Sequence, residues 1–413
     1  MRILQANKFY RIVGGSERYY FDLTNLLNTR GHQVIPFSMN DVHNRETPYK
    51  EYFVSSLDYG RISFPDLIKK GPKIVGKMVY SLESKRKIAK LIERIKPDIA
   101  HIHMIDHQIS PSILDELKKR GIPMIQTLHQ YKLICPNYRL YIDRKREVCE
   151  RCKKRKYYNA IFQRCLKNSL AGSFLASFAM YVHKIFKLYE KNIHTFLVPS
   201  LFARDKMVEF GIDRKKLVFL PYMVDTENLV PNYSPSNYIL YFGRLAMEKG
   251  LFTLLEAMRN FPELPLYIAG RGELESELGA YIERHGMDNV KLVGHRSGRD
   301  LRSLIRGAQF VVVPSEWYET FGLTIVESYA CGKPVIGADI GGITELIDRE
   351  KGLLFSPANA EDLAEKIEFF ISHPSLLPDL GRNARRFVEQ NFSPDWHYTK
   401  IMSLYQKVLS SKG

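Results

Sequence analysis

Two carboxylates in one short stretch, Glu319 and Glu327, stand eight residues apart within Pro314-Ser315-Glu316-Trp317-Tyr318-Glu319-Thr320-Phe321-Gly322-Leu323-Thr324-Ile325-Val326-Glu327-Ser328. On a continuous helix of roughly 3.6 residues per turn, that spacing leaves both on nearly one face. The apolar run Phe310 to Val313 precedes them, and Ala330-Cys331-Gly332-Lys333-Pro334-Val335-Ile336 follows. The order reads as buried strand, Pro/Ser stop, carboxylate loop, helix, glycine turn and next strand. The turn Glu319 to Gly322 then falls at the carboxyl end of a parallel strand and the amino end of a helix, where open α/β sheets bind phosphorylated ligands. A second candidate is Tyr241-Phe242-Gly243-Arg244-Leu245-Ala246-Met247-Glu248-Lys249-Gly250, which ends a strand and opens a helix. Gly243 lets the backbone turn sharply, and Arg244 and Lys249 can point into a cleft beside the positive end of the helix dipole. Two fixed cations there suit a diphosphate leaving group, whose charge grows as a bond to it breaks. The plainer alternative is a solvated Arg and Lys at a helix start.

The two stretches together resemble the E-x7-E signature and the G-R-L…K-G motif of retaining GT-B glycosyltransferases, family four. The resemblance covers essentially the whole chain and is most specific over 238–345. It implies transfer of a sugar from a nucleotide-sugar (UDP-, GDP- or ADP-linked) to an acceptor hydroxyl, with anomeric retention. It places Glu319 at the transferred sugar and pyrophosphate and Glu327 at the ribose hydroxyls, with Phe321, Gly322 and Leu323 between them in the donor site. Glu316 ranks below Glu319, because Thr324 stands where its partner would be. Gly14-Gly15 lies, by resemblance, beside donor phosphates and acceptor; a simple turn is the alternative. Gly270 belongs to Ala269-Gly270-Arg271-Gly272, similar to the family's A-G-x-G turn near the nucleotide. Arg296, in Val293-Gly294-His295-Arg296, is expected at the base pocket. Gly341-Gly342-Ile343-Thr344-Glu345 resembles a G-G-x-x-E segment with Thr344 in place of proline. His129 corresponds to a histidine that faces the sugar, followed here by Gln130; a lone histidine is otherwise more often structural. The implied catalytic set is therefore Glu319, His129, Arg244 and Lys249.

Cys135, Cys149, Cys152 and Cys165 form C-x13-C-x2-C-x12-C among Arg and Lys residues. Four thiolates with one C-x2-C fit tetrahedral zinc, and basic neighbours lower thiol pKa. The alternative is free or redox-labile thiols. Cys331 reads as a small core residue. No Asp-x-Asp pair ends a strand to hold a divalent cation, so catalysis is expected to be metal-independent.

These residues need a scaffold, and the hydrophobic pattern supplies one. Repeated βα order predicts two Rossmann-like α/β domains with parallel sheets facing a central cleft, the GT-B arrangement. The expected division is an acceptor-side domain over 1–225 with a cysteine-bearing insertion at about 135–182, and a Pro-rich linker over 226–236. A nucleotide-sugar domain follows over 237–391, then a helix over 392–413 that, as the resemblance implies, crosses back to the first domain. Helices are expected at Ser16–Arg30 and Lys85–Lys96, with an irregular insertion over 41–80. His101 and His103 alternate on a strand, one expected against the sheet face and the other near the strand end.

Hydrophobic content of 45% and charge of 26% are ordinary globular values. A net charge of +16 implies an anionic partner. Phosphorylated substrate or an anionic membrane surface fits. Arg144–Lys156 with Tyr157-Tyr158 is a basic–aromatic cluster of the kind nucleic acid needs, yet the same residues explain anionic-lipid binding, so nucleic acid ranks low. The start of the chain carries no apolar leader, and the 14-residue run Ser169–Val182 is too short to span a bilayer. A cytoplasmic protein, peripheral at the inner membrane face, is expected. A saccharide or lipid-linked acceptor fits that placement, and a GT-B relative of another activity, such as an epimerase, is the alternative.

Overall fold

The computed structural model describes residues 1–56, 71, 74–234 and 236–410; part of the irregular insertion over 41–80, with its Pro65 and Pro72, and Pro235 of the linker lie outside the described residues. The first sheet comprises β1 (Arg2–Ala6), β2 (Gln33–Phe37), β3 (Ile99–Ile102) and β4 (Met124–Thr127). A small antiparallel hairpin, β5 (Tyr141–Ile142) and β6 (Glu147–Val148), interrupts the series before β7 (Thr195–Val198) and β8 (Leu217–Phe219) complete the sheet. Its order is β2-β1-β3-β4-β7-β8, with every neighbour parallel. Successive side chains on a strand point to opposite faces. Accordingly Ile3, Ile99, Ile125 and Leu197 enter one core, while Leu4, Ala100, Met124 and Phe196 enter another. Both faces are buried, as a parallel sheet requires.

The second sheet comprises β9 (Ile239–Phe242), β10 (Leu266–Ala269), β11 (Val290–Gly294), β12 (Val311–Val313), β13 (Val335–Ala338) and β14 (Gly352–Phe355). Its order β11-β10-β9-β12-β13-β14 reverses direction between β9 and β12. That reversal opens a crevice at the carboxyl ends of those two strands, the position where such sheets bind ligands.

The closing helix Pro394–Ser410 packs on the first sheet. Tyr405 meets His101 at 2.8 Å, His397 meets Tyr19 at 3.0 Å, and Tyr398 meets His32 at 2.9 Å. Arg385 braces the segment between the sheets, donating to the carbonyls of Thr226 at 2.7 Å and Ala330 at 2.5 Å.

Two local readings change, the start of one helix and the His101/His103 division, while the 41–80 region is helical and loop in its described part. The helix expected from Lys85 begins at Leu82, because Ser81 Oγ accepts from Ser84 N–H and caps it. Exposed Leu82 broke the apolar period that marked the start. The described part of the irregular 41–80 region contains a turn at Lys50–Tyr52 and helical residues at 74–79. His101 and His103 do not divide: residues two apart share a face, so both are buried and their rings stack at 4.3 Å.

Candidate active site

The crevice between β9 and β12 is built by close backbone contact. A Cβ on Gly270 would lie 1.9 Å from the Gly243 carbonyl oxygen, and one on Gly272 would lie 2.0 Å from that of Leu245. Only glycine lets the turn after β10 press against the turn after β9. That packing fixes the loop carrying Arg244 and Lys249.

Lys249 Nζ donates to Glu319 Oε1, joining the loop after β9 to the loop after β12. Ser315 Oγ donates to the same carboxylate at 2.9 Å, and the Lys249 ammonium sits 5.3 Å from the Trp317 ring centroid. Burial pushes the Glu319 carboxyl up, but the charge and hydrogen bonds of Lys249 outweigh it and hold it below its ordinary value. Glu319 therefore stands ionised in the crevice. Its main-chain oxygen accepts from Gly342 N–H at 2.7 Å, so Gly341-Gly342 sets the course of the loop.

The two glutamates do not share a helix. Gly322, at φ +113°, turns the chain in the left-handed region, and the helix starts only at Leu323. Glu319 is a loop residue; Glu327 lies inside the helix Leu323–Ala330. Glu327 faces the first domain, where Arg18 Nη1 approaches its Oε1 at 3.1 Å. Burial raises the Glu327 carboxyl, Arg18 opposes that, and Asp22 adds to it.

Arg244 is half-exposed and donates to Glu248, which is fully buried. Arg139, from the insertion of the first domain, reaches the other oxygen of Glu248 at 3.4 Å. Burial raises the Glu248 carboxyl, and Arg244 and Arg139 together bring it below the ordinary range. Glu248 and Arg139 were missed in the sequence. Glu248 lay in plain view inside the motif, but its partner is 109 residues away.

Gly14 caps the helix Gly15–Thr29, and its N–H donates to Glu17 Oε2 at 3.1 Å. Gly15 faces the other domain: a Cβ there would lie 3.6 Å from Leu323 Cδ2. Thr320 Oγ1 donates to the His129 carbonyl at 3.2 Å, and Phe321 packs on Tyr222 with ring centroids 5.1 Å apart. Leu201 N–H donates to Glu345 Oε2 at 2.9 Å, so this acid caps a first-domain helix. The carboxyl ends of both sheets thus meet at one cleft.

Two further expected site residues lie outside the Lys249–Glu319 pair. The His129 ring is engaged on both nitrogens inside the protein, by Tyr222 Oη at 2.6 Å and by His103 Nδ1 at 3.0 Å. Burial lowers its pKa to about 3, so it is neutral. Both ring nitrogens, which the expected role would turn to the sugar, thus have partners within the protein. Arg296, expected at the base pocket, is exposed beyond the end of β11, which β10 and β9 separate from β12. Glu316 accepts from Thr253 Oγ1 at 2.6 Å, which ties it to the helix Leu251–Met258.

All five cysteines are free, and Cys331 is buried in the core. In the insertion, Cys135 Sγ donates to Asn137 Oδ1 at 2.9 Å, and Cys152 and Cys165 pack with Tyr157 and Met180. The expectation of lowered thiol pKa fails. Burial and the neighbouring thiols raise Cys152 and Cys135 and push Cys165 up to about 12, outweighing nearby Arg151 at Cys165. Among the described residues, no three His, Cys, Asp or Glu side chains stand ready to hold a metal ion.

Two Rossmann-like domains meeting at the carboxyl ends of their strands, with cations and an ionised acid at the switch point, have the architecture of a GT-B glycosyltransferase. The chain belongs to glycosyltransferase family 4: residues 13–228, more than half of it, match the model described as Glycosyltransferase Family 4. Residues 228–387 match the model described as Glycosyl transferases group 1. An uncharacterized glycosyltransferase of Methanocaldococcus jannaschii is 28% identical over 244 residues, 59% of this chain and 65% of that protein. The O-antigen chain mannosyltransferase C of Escherichia coli is 31% identical over 180 residues, 43% of this chain and 48% of its own length. The match therefore spans about two thirds and half of those relatives. The Anabaena protein HepE, solved in complex with UDP-glucose, has the same fold: TM-score 0.68, 17% identity, covering 98% of this chain and 100% of that one.

Proposed function

We propose that the protein transfers a hexosyl group from a nucleotide-sugar to an acceptor hydroxyl, with retention, in cell-surface polysaccharide or glycolipid synthesis. The observation that carries this reading is the Lys249–Glu319 pair at the switch point of the second sheet. Lys249 and half-exposed Arg244 would neutralise the diphosphate as its bond to the anomeric carbon breaks. Glu319, ionised, would hold sugar hydroxyls, and Glu327 the ribose. The acceptor oxygen attacks from the side the diphosphate leaves, and a departing phosphate oxygen takes the acceptor proton. No side chain forms a covalent bond to the sugar. Arg244 and Lys249 supply the charge that a divalent ion would otherwise bring, so transfer would proceed without metal.

Support from relatives is of two kinds: one is named for O-antigen chain synthesis, and one was solved with UDP-glucose. The reading places the enzyme in the cytoplasm, peripheral at the membrane. The four insertion cysteines would take a structural zinc ion after side-chain rotation, since four thiols with one C-x2-C suit it in ligand type. That ion would hold the insertion and take no part in transfer.

The deciding experiment is a donor screen that measures release of UDP, GDP or ADP from a panel of nucleotide-sugars, with and without saccharide acceptors. Release from no donor under any acceptor would sink the proposal.

A further inference from the structure

The helix Leu170–Ile185 has an apolar face on each side. Its inner face, with Leu175 and Ala176, packs on Ile74 and Met78, and Met180 packs on Tyr157. His183 Nε2 meets the Val79 carbonyl at 2.9 Å and pins the far end. Solvent-facing positions of an anchored surface helix are ordinarily polar. Here the helix's exposed residues are Leu170, Phe174, Phe178 and Ile185, with Phe174 at 58% and Ile185 at 71% exposure. Spacings of four, four and seven residues, about one, one and two helical turns, put them on one stripe. Phe186, which caps the helix, is exposed as well, and Phe162, 73% exposed, ends the preceding short helix Asn159–Phe162. A run of large apolar side chains this long marks a surface that meets something.

Charge identifies the partner. Lys154, Arg155, Lys156, Arg164 and Lys167, which precede the helix in the insertion, and Lys187, which follows it, are exposed. Among the described residues none of the six forms an ion pair, whereas neighbouring Lys153 and Lys184 are paired with Glu209 and Glu190. Unpaired basic residues beside an apolar helix fit an anionic lipid surface. Among the described residues no helix is long and apolar enough to cross a membrane, so the helix would lie in the interface.

We propose that this helix face and its basic rim dock the protein on an anionic bilayer. The same insertion carries Arg139, which reaches Glu248 in the cleft. Docking would therefore bring the cleft to an acceptor whose lipid stays in the bilayer. Docking deepens the peripheral placement proposed above by naming its surface, and the last step rests on the transfer reading.

Flotation of the full chain, without donor, on vesicles of phosphatidylcholine alone or mixed equally with phosphatidylglycerol tests it. We expect co-flotation with anionic vesicles at low salt, and loss at high salt. Neutralising Lys154, Arg155 and Lys156 to Gln should lower partitioning about a hundredfold, at about fivefold per charge. Phe174→Gln with Phe178→Gln should also release the protein, and being exposed, neither change should disturb folding. Failure of the wild type to float, or equal flotation of the variants, would overturn docking. So would a wild-type dimer in solution that the Phe174/Phe178 variant dissolves, because a second copy would then be the occupant. Donor turnover is read separately, so either reading can fail alone.

Discussion

Arg18 Nη1 lies 3.1 Å from Glu327 Oε1, and this contact joins the first helix of one domain to the carboxylate that the family signature assigns to ribose in the other. An ionised carboxylate accepts in several directions, so Arg18 on one oxygen leaves the second free for a hydroxyl. Arg18 also opposes the burial that raises the Glu327 carboxyl. Glu327→Gln should then weaken nucleotide affinity about tenfold, roughly 1.4 kcal/mol, with little effect on kcat. Glu319→Gln should instead abolish turnover. Calorimetry beside steady-state kinetics compares them, and the reverse ranking would mean that the two roles are exchanged.

Lys249→Ala and Arg244→Ala should each reduce kcat by about two orders of magnitude, since each removes a fixed charge from the leaving diphosphate. Lys249→Ala should cost more, because it also strips the charge that keeps Glu319 ionised. Circular dichroism should confirm folded variants. Near-wild-type turnover in both would remove this loop from the chemistry.

The parts of the site legible in the sequence were local ones. Strand–turn–helix order around Gly243 and around Gly322 lies within short windows, where glycine and apolar periodicity mark backbone geometry directly. The order of carboxylate loop and then helix put Glu319 in the turn, where the structure has it. The eight-residue spacing on one continuous helix does not apply, because the left-handed turn at Gly322 starts the helix only at Leu323. The remaining contacts join distant segments. His129 and Tyr222 are 93 residues apart and Arg139 and Glu248 are 109 apart, and no window contains both members. The exposure of Phe174 and Phe178 was equally hidden, because an apolar segment reads the same whether it faces a core or a surface.

Zinc is a separate question from transfer. Elemental analysis of protein purified without chelator should find about one zinc per chain. Cys152→Ser should lower that content and the melting temperature together, while donor binding persists. Metal-free wild-type protein with an unchanged melting temperature would leave the four cysteines as free thiols.

Acid should destabilise the fold through its buried imidazoles. Burial lowers His129 to about 3 and His397 to about 4, against about 6.5 for an exposed histidine. Between those values the unfolded chain binds protons that the folded chain refuses, so stability falls as pH drops. Above about 6.5 both states are neutral and the contribution is complete; below it, stability is lost progressively until the folded pKa is reached. His397 is the group to test, since its ring reaches Tyr19 Oη across 378 residues and anchors the closing helix. His397→Phe should be less stable than wild type at neutral pH, because the Tyr19 hydrogen bond is gone. Its stability should nevertheless fall less steeply with acid, because one refused proton has been removed. Urea denaturation of both proteins at pH 7.5 and pH 5 gives the two slopes; equal slopes would mean that His397 is not held neutral in the fold.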